Sequence, residues 1–181
     1  MTRRTTVTAE FDVVHGDDAA TVRKLLTPRG QLVEIESAGG NEPAGGNESA
    51  GGSESAGDER NASTVDRPGS SNAIRIDALG LESLSWQTEA ELAERLGWQP
   101  PTDRDVTDDA HEVDGSFDVS NEYADVEIAK TTSAGGDALV VRAPVKRTEL
   151  RLHPALVGAL ATRDTDLFSE FLETPHGPHD H

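Results

Sequence analysis

The 181-residue chain contains no cysteine, which excludes disulfides, thiolate metal sites and cysteine nucleophiles. Basic residues are few and skewed: three lysines, Lys24, Lys130 and Lys146, stand against thirteen arginines. Aromatic residues are scarce, with four Phe, two Trp and one Tyr. Long apolar runs are missing too, and none approaches the roughly 20 residues that span a bilayer as a helix. The opening stretch MTRRTTVTAEFDVVH alternates polar and apolar residues where a signal peptide would carry an apolar core. These absences predict a soluble, cytoplasmic protein without a membrane span.

What the chain has in excess is negative charge. Thirty-four acidic residues against sixteen basic ones give a formal charge of −18. Such a surface repels itself at low ionic strength, but at about 1 M salt the Debye length is only about 3 Å and the repulsion is screened. The composition resembles that of cytosolic proteins of salt-accumulating halophiles, so the charge describes the solvent and need not signal a cationic partner.

A six-residue repeat interrupts the chain: SAGGNE (37 to 42), PAGGNE (43 to 48), SAGGSE (49 to 54) and SAGDER (55 to 60). No large apolar residue recurs in it that could stack into a core, and its composition is that of a flexible linker. The segment 37 to 72 is predicted to be disordered. Ahead of it, Val7, Ala9, Phe11 and Val13 alternate as in a half-buried strand. HGDDAATVRKLLTPRG reads as a helix capped by Asp17 or Asp18, with Val22, Leu25 and Leu26 as its stripe. Leu32, Val33 and Ile35 form a second strand. This βαβ unit of residues 1 to 36 is too short to bury a core alone, so it should dock on residues 73 to 173 as one composite domain.

Beyond the linker, Ile74, Ile76 and Ala78 alternate as a strand, and TEAELAERLG is a helix with Thr88 as N-cap, Glu91 completing a capping box and Gly97 at its end. An acidic loop runs to about residue 121. A strand from Ala124, a turn at SAGGD, the return ALVVR and the strand KRTELRL follow, then a helix opened by Pro154 and a helical piece over 165 to 173. The fold class expected is α+β: a two-layer sandwich with a ferredoxin-like βαβ-βαβ core, a disordered insertion, and an extra C-terminal strand and helices.

Several constellations carry candidate chemistry. TEAELAERLGW resembles the first half of a helix-turn-helix, but the segment after it carries Asp103, Asp105, Asp108, Asp109 and Glu112 against Arg104, and a phosphate backbone would repel it. Asp103, Asp105 and Asp114 match three calcium-loop positions, yet Asp108 stands where the sharp turn needs glycine. His15 with Asp17 and Asp18 could hold a divalent metal or act as acid and base, or merely turn the chain and cap a helix. His176, His179 and His181 could hold a transition metal on a mobile tail, 174 to 181. Arg142, Lys146, Arg147, Arg151 and Arg163 form a basic stripe suited to a polyanion, with pairing to the protein's own acids as the plainer account. Leu167, Phe168, Phe171 and Leu172 form one helical face that closes the core or docks on a partner or second copy.

Nothing here fixes an activity or implies a cofactor. The leading expectation is a non-enzymatic binding or regulatory protein that engages a protein partner or forms a homodimer. A nucleic-acid-associated protein using the basic stripe comes second, and a metal-dependent enzyme centred on HGDD third.

Overall fold

A computed structural model describes residues 4–38, 72–99 and 112–173. Within them the order is β1 (Thr6–His15), β2 (Asp18–Thr27), β3 (Gly30–Ser37), β4 (Ala73–Ile76), α1 (Ala78–Ser85) and α2 (Glu89–Leu96). Then follow β5 (Glu112–Ser120), β6 (Asp125–Ser133), β7 (Gly136–Ala143), β8 (Thr148–Leu152), α3 (Pro154–Ala161) and α4 (Asp166–Glu173). The strands form two antiparallel four-stranded sheets, ordered β1-β2-β3-β4 and β5-β6-β7-β8. The class is α+β.

The topology departs from a ferredoxin-like core at two places, since residues 18–27 form a strand and the strands before and after α2, β4 and β5, belong to different sheets. Residues 18–27, expected as a helix, form β2, so neither sheet contains a βαβ crossover. Gly16, at φ 60, is the first central residue of a two-residue hairpin turn, where glycine suits the left-handed backbone. Asp17 and Asp18 therefore serve a hairpin and cap no helix. The supposed stripe is no single face either: Val22 points into the core, Leu25 pairs with Leu32 on the opposite parity, and Leu26 is half exposed. Alternating Ala20, Thr21, Val22 and Arg23 carry the strand period, and tertiary pairing overrides the local helical spacing.

The two halves repeat one another. Each residue of β1 to β3 has a counterpart 106 positions later, as in Phe11 and Phe117 or Gly30 and Gly136, and the strand pairing repeats with it. Val13 faces Ala20 as Val119 faces Val126, and Val22 faces Ile35 as Ile128 faces Val141. The same irregularity interrupts both first strands, between Val7 and Ala9 and between Val113 and Ser116. From β4 and β8 onward the spacing is 76, as in Arg75 and Arg151 or Asp77 and His153, because the connection holding the six-residue repeat corresponds to the short turn at 144 to 147.

The halves interlock by exchanging helices. Helix α1, which follows the first sheet, packs on β6, β7 and β8, while α3, which follows the second, packs on β2 and β3. Phe11 and its counterpart Phe117 meet between the sheets with ring centroids 5.5 Å apart. Hydrogen bonds at the two ends also correspond: Val14 N donates to Asp137 Oδ2 and Ser120 N to Gln31 Oε1, each partner being the other's equivalent. A single apolar core runs through both halves, from Val13, Val22 and Ile35 to Ile128, Val141 and Leu156.

Helix α1 was not anticipated, since Ala78 was read as the end of a strand. It is buried on nearly every side, so it lacks the one-sided apolar stripe that betrays a surface helix. Strand β5 lies wholly within what was read as acidic loop; it was missed because only Phe117 and Val119 of its nine residues are buried. Helix α2 matches expectation: Thr88 and Glu91 form the capping box and Gly97 ends it at φ 69. Pro154 opens α3, and α4 covers most of the expected terminal helix. No helix of the described residues is long and apolar enough to cross a membrane.

Candidate functional site

Because the halves share one plan, their differences single out positions that the fold does not require. The outer face of the first sheet carries a continuous ion-pair row, Glu10, Arg23, Glu34 and Arg75, one residue per strand in direct register. Arg23 bonds Glu10, Glu34 and Glu36, and Arg75 Nε donates to Glu34 at 2.7 Å. These carboxylates hold the Arg23 guanidinium well above its ordinary range, the Glu36 hydrogen bond contributing most.

The equivalent row of the second sheet reads Ser116, Ala129, Val140 and Arg151. The arginine is kept and its acid is gone, since Val140 stands where the first sheet has Glu34. Arg151 Nε is buried and has no hydrogen-bond partner among the described residues. A buried N–H of a cation is among the more costly groups to leave unpaired.

The other members of the basic stripe have different surroundings. Arg142 is clamped between Glu149, at 2.8 Å from Nε, and Glu127, at 2.8 Å from Nη1. Both raise its already high basicity, the Glu149 hydrogen bond more strongly. Arg163 donates to the carbonyl of Leu96 at 3.0 Å and so ties the end of α2 to the turn after α3. Lys146 faces Glu82 of α1, a carboxyl only 4% exposed. Burial pushes Glu82 up from its ordinary value and Lys146 draws it partly back. Arg147 lies in the exposed turn 144 to 147 with φ 58, a left-handed backbone unusual for a residue with a side chain. Arg142 and Arg163 are thus engaged by the fold, whereas Arg151 Nε is left without a partner among the described residues.

A second asymmetry lies where β1 ends. His15 lies against His153, the N-cap of α3, with ring centroids 4.3 Å apart, and Trp98 stacks on His153 at 5.4 Å. Gly136 makes room: a Cβ there would collide with the His15 ring, and its φ of 125 also favours glycine. His153 Nδ1 accepts from Ala155 N at 3.1 Å. The HGDD segment therefore contributes its histidine to a ring cluster, while Asp17 and Asp18 are exposed on the hairpin. Among the described residues no three His, Cys, Asp or Glu side chains come together as a metal site.

Phe168 and Phe171, 5% and 0% exposed, close the protein's own core in a T-shaped pair at 6.1 Å. Leu167 is partly buried against it, and Leu172 is turned outward. His176, His179 and His181, Asp103, Asp105, Asp108 and Asp109, and most of the 37 to 72 segment lie outside the described residues. His153, Trp98 and Val140 were not singled out from the sequence. The FDV triplets at 11–13 and 117–119 were the signal that could have aligned the halves and exposed them. Set against known proteins, no family model matches this sequence, and no curated protein is significantly similar to it.

Proposed function

We propose that the chain is a non-enzymatic binding protein of the halophile-type, acidic cytosolic class. It engages carboxylates of an acidic protein segment through Arg151, with Arg147 adding charge at the neighbouring turn. The observation that carries this reading is the guanidinium of Arg151, whose Nε is buried without a partner while the equivalent Arg75 is paired to Glu34. A guanidinium presents several donors in a planar fork that suits a carboxylate. A short acidic segment fits better than a long polyanion, because Arg142 is ion-paired to the protein's own acids and Arg163 is tied to the Leu96 carbonyl, which leaves no extended basic stripe to track a phosphate backbone.

The test is a titration of the intact protein with a short synthetic poly-glutamate peptide and, in parallel, a duplex oligonucleotide, each over a range of salt concentrations. The wild type should bind the peptide, and Arg151→Ala should weaken binding by about tenfold, the usual worth of a charge-assisted hydrogen bond. Peptide binding unchanged in Arg151→Ala, or tighter binding of the duplex than of the peptide, overturns the proposal.

A further inference from the structure

We propose that the edge of β8 receives the acidic segment as an added strand, extending the second sheet by one. The inference rests on the reading of Arg151 as a carboxylate site and adds the binding mode and the sequence pattern of the partner. Among the described residues the sheet edges are β1, β4, β5 and β8. An edge offers a row of unpaired N–H and C=O groups, which proteins guard with irregularities, with cover or with charge. Strands β1 and β5 are guarded twice. Each is interrupted by an irregularity in its pairing, and each lies against the opposite sheet, β1 near β7 and β5 near β3. Strands β4 and β8 pair in unbroken register with their neighbours β3 and β7, and among the described residues no strand lies beyond either.

Charge separates these two edges. Strand β4 carries one cation, Arg75, which is held on its own sheet by Glu34. Strand β8 and the turn before it carry Lys146, Arg147 and Arg151 against one acid, Glu149, which Arg142 neutralises at 2.8 Å. Lys146 and Arg147 are exposed, and Arg151 Nε has no hydrogen-bond partner among the described residues. Such an edge discourages a cationic strand and attracts an anionic one. The pleat then sets the pattern of the partner. Arg151 and Glu149 stand on the outer face, whereas Leu150 and Leu152 are buried in the core. Side chains alternate along a strand and share a face with their neighbours across it. A carboxylate that meets Arg151 therefore projects from the outer face of the added strand. The residues on either side of it lie beside Leu150 and Leu152, where a second charge would be desolvated without a partner. The five residues of β8 span about 17 Å, so the segment has about five residues, acidic at alternate positions with small apolar residues between.

The probe is an end-capped Glu-Val-Glu-Val-Glu peptide, titrated into the full-length protein at constant salt beside the same peptide methylated at every backbone amide. Methylation removes the N–H donors of a strand and leaves its carboxylates in place. The plain peptide should bind about tenfold more tightly than the methylated one. Hydrogen exchange of its complex should show alternate amides of β8 gaining about tenfold in protection, while those of β4 gain none. Equal affinity of the two peptides, with both weakened in Arg151→Ala, overturns strand addition and leaves the carboxylate reading standing. Equal gains at β4 and β8 overturn the choice of edge by charge. Binding of neither peptide, or binding of the plain peptide unchanged in Arg151→Ala, overturns the carboxylate reading and the strand addition with it.

Discussion

Glu82 shows how a single residue can be held against its own preference. Its carboxyl sits in a helix buried on nearly all sides, and desolvation raises its proton affinity more than Lys146 lowers it. The folded protein therefore binds this proton more tightly than the unfolded chain does. The stability that follows is present at low pH and is lost as the pH rises through the carboxyl range. Glu82→Gln stays neutral throughout, so its thermal midpoint should exceed that of the wild type at pH 7 and converge with it near pH 4. A lower midpoint for Gln at pH 7 would mean that attraction to Lys146 outweighs burial. At Phe171, fully buried beneath Arg95, truncation to alanine should destabilise the protein by about 3–5 kcal/mol, read by denaturant unfolding. A loss below about 1 kcal/mol would place that face at the surface instead.

Elements differ in how plainly the sequence announces them. Helix α2 was legible because its stop and start signals are local: Thr88, Glu91 and Gly97 each satisfy a terminal backbone group. Thr88→Ala should accordingly cost about 1 kcal/mol in unfolding free energy. Strand β2 was not legible, because Val22, Leu25 and Leu26 imitate a helical stripe whose members in fact serve two faces of a sheet. Helix α1 escaped for the opposite reason, having no polar side to mark its period. The connection between β3 and β4 is also an element with a testable worth. Its counterpart between β7 and β8 is the turn 144 to 147. Replacing residues 38 to 71 by Pro-Val-Lys-Arg should leave the melting midpoint in molar salt unchanged or higher, since a shorter loop closes at less entropic cost. A large fall would show that the long connection contributes to the fold.

For the molecule as a whole, the α+β class was legible in the mixture of two periodicities, but the internal duplication was not. Only a few identities survive at the 106-residue spacing, among them Phe11 with Phe117, Val13 with Val119, Lys24 with Lys130 and Gly30 with Gly136. Burial preserves apolar character, not identity, so Val22 answers to Ile128 and Ile35 to Val141 without matching letters. The basic stripe was visible as a cluster along the chain. Which of its members are engaged was not, because Glu127 reaches Arg142 across from the neighbouring strand β6 and the Leu96 carbonyl at the end of α2 reaches Arg163. The duplicated plan then separates what the fold requires from what one half has altered, and Arg151 is the position where an ion pair has been left open.

That claim is tested most directly by restoring the missing acid. Val140→Glu gives the second sheet the partner that Glu34 supplies to Arg75 in the first. Isothermal titration of the poly-glutamate peptide into Val140→Glu, with the melting midpoint measured alongside to establish that the variant is folded, should show binding weakened by about tenfold. A folded Val140→Glu that binds the peptide as tightly as the wild type would contradict the assignment of Arg151 as the open site.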